Sequence, residues 1–300
     1  MKTFYIKIGE IVFSFDSERD LEIEEGLVPF LIEKEETPDV QVFVRWDYDR
    51  IRKPTTAAVG QDLIQTYYIE DEMKFCQTEG GPKGTVSQVV YSEDCKTLNC
   101  FINGTVYEQQ YYSLSWILRL LPMREVFQRF GVVFFHGAQV AVGEDGILFT
   151  APSETGRSTQ AKLWITYENA RLVCGDRTLV RKTDDKWRCY GYPIDGSSPV
   201  RSTEVTELKA IALLKQAKEN HIECLRGGKA LTQLMPQLVI DGWSASARQR
   251  SMELLLELLA DVPAYQLSCT PDKEAVDVLK NRLVEDGMRL NGEDQRSIVK

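Results

Sequence analysis

The chain has 300 residues, 43% of them hydrophobic and 27% charged, with a formal net charge of −9. That length supports one large or two modest domains with a sizeable core. The acidic balance argues against a non-specific binder of nucleic acid or of an anionic membrane surface, since both attract patches rich in Lys and Arg; it leaves a locally positive nucleotide site open.

The seven cysteines, Cys76, Cys95, Cys100, Cys174, Cys189, Cys224 and Cys269, are odd in number and scattered. None forms a C-x-x-C pair, so a zinc ribbon and a thioredoxin-type motif are both excluded. No apolar run reaches the ~20 residues of a membrane span. The expectation is a reduced, cytoplasmic protein with no membrane and no nucleic-acid partner.

In chain order, the first hundred residues read as strands. "YIKIGEIVFSF", "DVQVFVRW", "LIQTYYIE", "KFCQ", "SQVVYS" and "TLNCFING" are separated by Gly9, Pro38, Pro54, Gly80-Gly81-Pro82 and Asn103-Gly104. "CFINGTVYEQ" has the pattern of a hairpin closed by Asn103-Gly104. Residues 1–110 are therefore expected to form a mainly β N-terminal domain.

From 111 to 130 the period lengthens. Leu114, Ile117, Leu118, Leu121 and Phe127 share a helical face, with a break at Pro122. Two strands, "VVFFHGAQVAV" and "GILFTA", follow, then a helix, "RSTQAKLWITYE", and two more strand-like runs in "ARLVCGDRTLVRK" and "KWRCYGYP". "ELKAIALLKQA" fits a strand or a helix equally well. "SASARQRSMELLLELLADV" is a helix capped by Ser244 or Ser246, "PAYQLSC" a late strand, and "DKEAVDVLKNRLVED" an amphipathic helix. Trp116, Trp164, Trp187 and Trp243 suit core or boundary packing, and His221 a surface position. The expectation for 131–286 is a mixed α/β domain, with a polar tail at 287–300.

"GILFTAPSETGRSTQAKLW" is where chemistry enters. A phosphate-binding loop works because backbone N–H groups converge on phosphate oxygens at a helix N-terminus, helped by the helix dipole. The usual pattern is Gly, four residues, Gly-Lys-Ser/Thr, with the Lys reaching the outer phosphates and the hydroxyl holding Mg²⁺. Here the frame is Ala151, four residues including Ser153, Glu154 and Thr155, then Gly156, Arg157, Ser158 and Thr159. It follows an apolar strand and opens a helix, which is the context the motif requires.

With His136-Gly137 upstream and Gly175-Asp176-Arg177 downstream, the stretch from about Phe134 to Leu225 resembles the catalytic domain of HPr kinase/phosphorylase. It is closer still to the HPr-kinase-like, phosphoenolpyruvate-carboxykinase-like proteins of bacterial peptide-modification gene clusters. The resemblance implies an α/β (α+β) chain: a mainly β N-terminal domain, then an HPr-kinase-like P-loop domain. It also implies an ATP- and Mg²⁺-dependent kinase acting on a Ser or Thr hydroxyl of a peptide, protein or small molecule, and it admits a homo-oligomer.

Carried over by position, the amides from Ser153 to Ser158 would cradle the β- and γ-phosphates and Ser158 would ligate Mg²⁺. Asp176 would sit near Mg²⁺ and the acceptor hydroxyl as a base, with His136 beside the phosphate site. Gly191 and the run Asp195 to Ser198 match a loop near the acceptor, so Arg177, Ser197 and Arg201 become candidate acceptor or phosphate contacts. No signal appears for the further metal ligands of a carboxykinase.

Two residues depart from the pattern. Arg157 keeps the charge of the Lys but presents a planar fork rather than a compact ammonium. Glu154 puts a carboxylate among amides that should face phosphate, a repulsion of roughly 1–4 kcal/mol at ~4 Å depending on the dielectric. Glu154 could point outward and leave its amide in place. Alternatively Glu154 and Arg157 could pair and fill the anion pocket, which would make the chain a pseudokinase that binds a peptide or protein partner without catalysis.

Overall fold

The computed structural model describes residues 2–34, 37–106, 112–194, 200, 202–288 and 290. It is a mixed α/β protein with two large sheets. The chain divides into two compact units, Met1–Phe130 with Ile240–Arg248, and Gly131–Val239 with Gln249–Lys300. The second stretch of the first unit interrupts what reads in sequence as one continuous domain from 131 to 286.

In the first unit, β1 (Lys2–Ile8) and β2 (Ile11–Ser17) are antiparallel, with Ile8 opposite Ile11. Gly9 and Glu10 make the turn at φ 60° and 59°, the doubly positive geometry that suits the right-handed twist of a hairpin. The strands β3 (Leu31–Ile32), β4 (Val40–Arg45), β5 (Gly60–Gln61), β6 (Gln65–Glu70), β7 (Met73–Glu79), β8 (Thr85–Tyr91) and β9 (Thr97–Ile102) complete the sheet. Its order is β3-β1-β2-β4-β9-β8-β7-β6-β5, with two-residue strands at both edges.

The hairpin expected at Asn103-Gly104 does not involve β9. That strand is parallel to β4 on one side and antiparallel to β8 on the other, so both its hydrogen-bonding edges are taken. Asn103 instead makes a side-chain turn: its Oδ1 accepts from Thr105 N at 3.1 Å while its Nδ2 donates to Thr85 O at 3.0 Å. Residues 107–111 lie outside the described residues.

The expected connecting helix is two short ones, α1 (Leu114–Leu120) and α2 (Met123–Arg129), divided at Pro122. Arg124 of α2 bonds Asp62 at 3.0 Å and Asp241 at 3.1 Å. Burial pushes the Asp241 carboxyl up, and the Arg124 guanidinium offsets only part of that. Trp243 lies against Tyr67 with ring centroids 4.9 Å apart.

The second unit opens with β10 (Val132–Val142), an antiparallel partner of β11 (Asp145–Thr150). Helix α3 (Arg157–Glu168) follows, then β12 (Arg171–Cys174), β13 (Arg177–Thr183), β14 (Lys186–Gly191), β15 (Thr206–Gln216) and β16 (His221–Leu225). Then come α4 (Gly227–Leu234), α5 (Ala245–Asp261), which belongs to this unit from Gln249 on, β17 (Ala264–Cys269) and α6 (Lys273–Glu285).

The ambiguous "ELKAIALLKQA" is β15, parallel to β11 on one side and to β17 on the other. A strand covered on both faces reads as a continuous apolar run, which explains why alternation did not identify it. Because β11 pairs with both β10 and β15, strands β10, β11, β13, β14 and β15 close a ring. Ala138, Val140, Phe149 and Ala151 pack with Ala161 and Trp164 of α3 and with Val276 and Leu279 of α6. That core fixes α3, and therefore the loop before it, against the end of β11.

Candidate functional site

The sheet register brings the distant motif residues together. Gly137 of β10 stands opposite Thr150, the last residue of β11. On its other side, Gly137 N donates to Asp176 O at 2.9 Å. β12 and β13 both run antiparallel to β10, so Gly175-Asp176 is a bend between two segments alongside the same strand. Thr150 Oγ1 donates to His136 O at 2.6 Å, and Thr178 Oγ1 to Gly137 O at 3.2 Å, tying the row laterally. A Cβ at Gly137 would come within 2.5 Å of Leu148 Cδ1, so the close approach of these strands needs glycine there.

His136 and Arg177 are direct cross-strand partners and share a face of the sheet. It is the face on which Ala138 and Val140, two and four residues on from His136, pack under α3. The His136 and Arg177 side chains are both half-buried.

The loop itself runs from buried Ala151 to Arg157, at the carboxyl ends of the parallel strands β11 and β15. In α/β proteins the carboxyl ends of parallel strands are where ligands bind, in closed barrels and open sheets alike. Glu154 takes the left-handed conformation at φ 65° and Gly156 follows at φ 120°, with open space around the position of its missing Cβ. Gly156 caps α3 without a side-chain hydrogen bond. The first-turn amides, which have no intrahelical acceptor, therefore have no side-chain cap to satisfy them. Gln216, at the end of β15, donates from Nε2 to Glu154 O at 3.2 Å and to Thr155 O at 3.4 Å, bracing the turn from outside.

Ser153, Glu154, Ser158 and Thr159 are exposed, and Thr155, Gly156, Arg157 and Asp176 are half-buried. Arg157 does not turn to Glu154. Its Nη1 donates to Ala151 O at 3.2 Å, and its Nη2 lies 3.4 Å from Asp176 Oδ1, with the two side chains 14% and 15% exposed. Gly191, at the end of β14, stands opposite Thr178, one strand further from Gly137. Ser197, Arg201 and the run from Asp195 to Ser198 lie outside the described residues.

The sequence did not single out Gln216 or Thr150. Gln216 ends an apolar run as an ordinary exposed polar residue, and nothing local marks it. Thr150 carries a faint signal, as a hydroxyl closing an otherwise apolar strand.

No group of three or more His, Cys, Asp or Glu able to hold a metal occurs among the described residues. A Mg²⁺ held by Ser158 and Asp176 would need the remaining ligands from phosphate and water, which is how this ion is usually bound. One carboxylate and one hydroxyl near an uncapped helix start are compatible with that donor set.

A cavity of about 640 Å³ opens elsewhere in the second unit, lined among others by Glu207, Arg226, Asp261, Tyr265 and Asp286. It touches the amino-terminal ends of β15 and β17, the opposite end of those strands from the loop, and contains none of the motif residues. Tyr265 donates to Asp286 at 2.6 Å and Lys182 to Asp261 at 2.9 Å, so these polar groups already have partners. The end that carries the loop, with its uncapped amides, is the better candidate despite the hollow at the other end.

No helix among the described residues is long and apolar enough to cross a membrane. No family model and no curated protein matches the chain. Among solved structures, it is similar to the Hpr(Ser) kinase/phosphatase from Coxiella burnetii, with a TM-score of 0.32 and 10% identity over 52% of this chain and 99% of that one. A likeness of that size is too slight to assign a fold or an activity, and the loop geometry has to carry the functional reading.

Proposed function

We propose that this chain is a phosphotransferase of the HPr-kinase-like type, moving the γ-phosphate of ATP onto a Ser or Thr hydroxyl of a peptide, protein or small molecule. The observation that carries this reading is the state of the two departing residues. Glu154 is exposed and forms no ion pair among the described residues, while Arg157 turns to Ala151 O and Asp176. The Glu154–Arg157 pair that would plug the cradle is not formed.

In this reading the amides from Ser153 to Ser158 hold the phosphates at the positive end of the α3 dipole. Ser158 and Asp176 would hold Mg²⁺, which when bound neutralises charge on the phosphate oxygens. Asp176 orients or deprotonates the acceptor hydroxyl, with His136 beside it on the neighbouring strand. Most of the catalysis is positioning and charge stabilisation, as phosphoryl transfer requires.

A second reading, a pseudokinase that binds a peptide or protein without transfer, has one specific observation in its favour. Asp176, the proposed base, is engaged by Arg157, so the carboxylate is neutralised unless that pair opens. Titration of the full chain with ATP and Mg²⁺ by calorimetry separates the two, followed by measurement of phosphate transfer to Ser-containing peptides. A flat titration at millimolar ATP removes the kinase reading; turnover on a hydroxyl removes the pseudokinase.

A further inference from the structure

In the first unit, two carboxylates share one guanidinium. A single nitrogen of Arg124, Nη1, donates to Asp62 Oδ2 at 3.0 Å and to Asp241 Oδ1 at 3.1 Å. The three residues come from distant parts of the chain: Asp62 from the turn between β5 and β6, Arg124 from α2, and Asp241 from the segment Ile240–Arg248. The Asp241 side chain is 5% exposed, against 23% for Asp62 and 37% for Arg124. One cation is thus set against two anions, and the better buried anion is the one that ties the segment down. The other titratable groups facing Asp241 are Glu125 of α2, Tyr67 of β6 and Cys76 of β7. Burial pushes the Tyr67 hydroxyl and the Cys76 thiol far up, so both stay neutral, and Glu125 is engaged by Lys74 and Tyr91.

We propose that Asp62, Arg124 and Asp241 form a proton-responsive clasp, which holds the segment Ile240–Arg248, and with it the start of α5, more firmly in mildly acidic than in neutral solution. Two like charges on one partner favour the form with a proton bound, and desolvation puts that proton on the buried member. Burial is the largest influence on the Asp241 carboxyl and raises it, and Arg124 draws it back only in part. Once Asp241 is protonated, Arg124 and Asp62 are left as a one-to-one ion pair, and Asp241 stays in place as a neutral hydrogen-bonding group. A carboxyl raised in the folded chain keeps a proton that the released chain gives up. Its stabilising effect is therefore fully present below the ordinary Asp value of about 3.9 and is lost as pH rises through the raised one. A simple ion pair does the reverse, loosening as acid removes the carboxylate charge.

The test compares the full chain with Asp241→Asn, which keeps the shape of the side chain and cannot titrate. Urea unfolding of both at about pH 7.5, 6 and 4.5 gives the ratio of their folding constants, wild type over variant, in which the titrations common to the two chains cancel. That ratio should rise by at least ~2-fold from the highest pH to the lowest. The segment also offers a local readout, because Ser244 N donates to Asp241 O at 3.0 Å. Amide-exchange protection at Ser244 in wild type, corrected for the intrinsic effect of pH on exchange, should rise over the same interval.

A ratio that stays level or falls overturns the proposal, a fall being the mark of a simple ion pair. Should Asp241→Asn fail to fold, protection at Ser244 that stays level or falls in wild type overturns it equally.

Discussion

Glu154 holds the left-handed conformation that L side chains adopt at a cost of about 1–2 kcal/mol, and glycine removes that cost. Its side chain is exposed, so replacing it loses no packing. Glu154→Gly is therefore expected to stabilise the chain, by roughly 0.5–1 kcal/mol once the added freedom of the unfolded glycine is counted. It should also raise affinity for ATP with Mg²⁺, since a negative charge leaves the rim of the cradle. Urea denaturation and calorimetry check the two halves, and a drop in either would mean that the carboxylate has a structural or binding role that its exposure does not suggest. At this scale the sequence singled out His136, the loop, Asp176 and Arg177, and strand register sets their backbones near one end of β11. What it could not convey is who pairs with whom. Arg157 and Asp176 are 19 residues apart, and their contact depends on Gly137 lying between Thr150 and the Asp176 bend, a consequence of strand register.

Elements differ in how openly the sequence declares them. α6 announced itself by period, and Asp272 caps it by accepting from Ala275 N at 3.2 Å. The start of α5 was narrowed to Ser244 or Ser246, and Ser244 is the one whose Oγ accepts from Ala247 N, at 3.1 Å. Ser244→Ala is accordingly expected to cost about 1 kcal/mol, as loss of a serine cap usually does. Ser246→Ala should cost less than half of that, and equal midpoints for the two variants in urea would show that the cap is not specific to Ser244. β15 was ambiguous for a physical reason: flanked by β11 and β17 and buried on both faces, it shows neither the two-residue nor the 3.6-residue period. Asn103-Gly104 misled for the converse reason. Turn chemistry is local, but whether the turn closes a hairpin depends on the neighbours of β9, and both sides of that strand are filled by partners from elsewhere in the chain.

At the scale of the whole chain, a strand-rich first part was legible in the turn-punctuated runs before residue 111. The return of Ile240–Arg248 to the first unit was not. Nine residues beside a helix start carry no periodic signal, and their place is set by tertiary contacts: Asp241 with Arg124, and Trp243 with Tyr67 and Gly60. Gly60 offers the sharpest test. A Cβ there would lie 2.0 Å from Trp243 Cδ2, closer than atoms can stand, so the indole occupies the space that any larger residue would need. Gly60→Ala should destabilise the chain by about 1–3 kcal/mol, the usual cost of overpacking. Trp243→Ala should also destabilise, by removing a ring that is packed on Tyr67. The double variant is where the argument stands or fails. With the indole gone, the three atoms nearest the added methyl are removed, so the double variant should be more stable than the sum of the singles predicts by at least ~1 kcal/mol. Additive losses would mean that Gly60 and Trp243 do not touch, and that the segment from Ile240 to Arg248 is not seated on the β5–β6 edge of the first sheet.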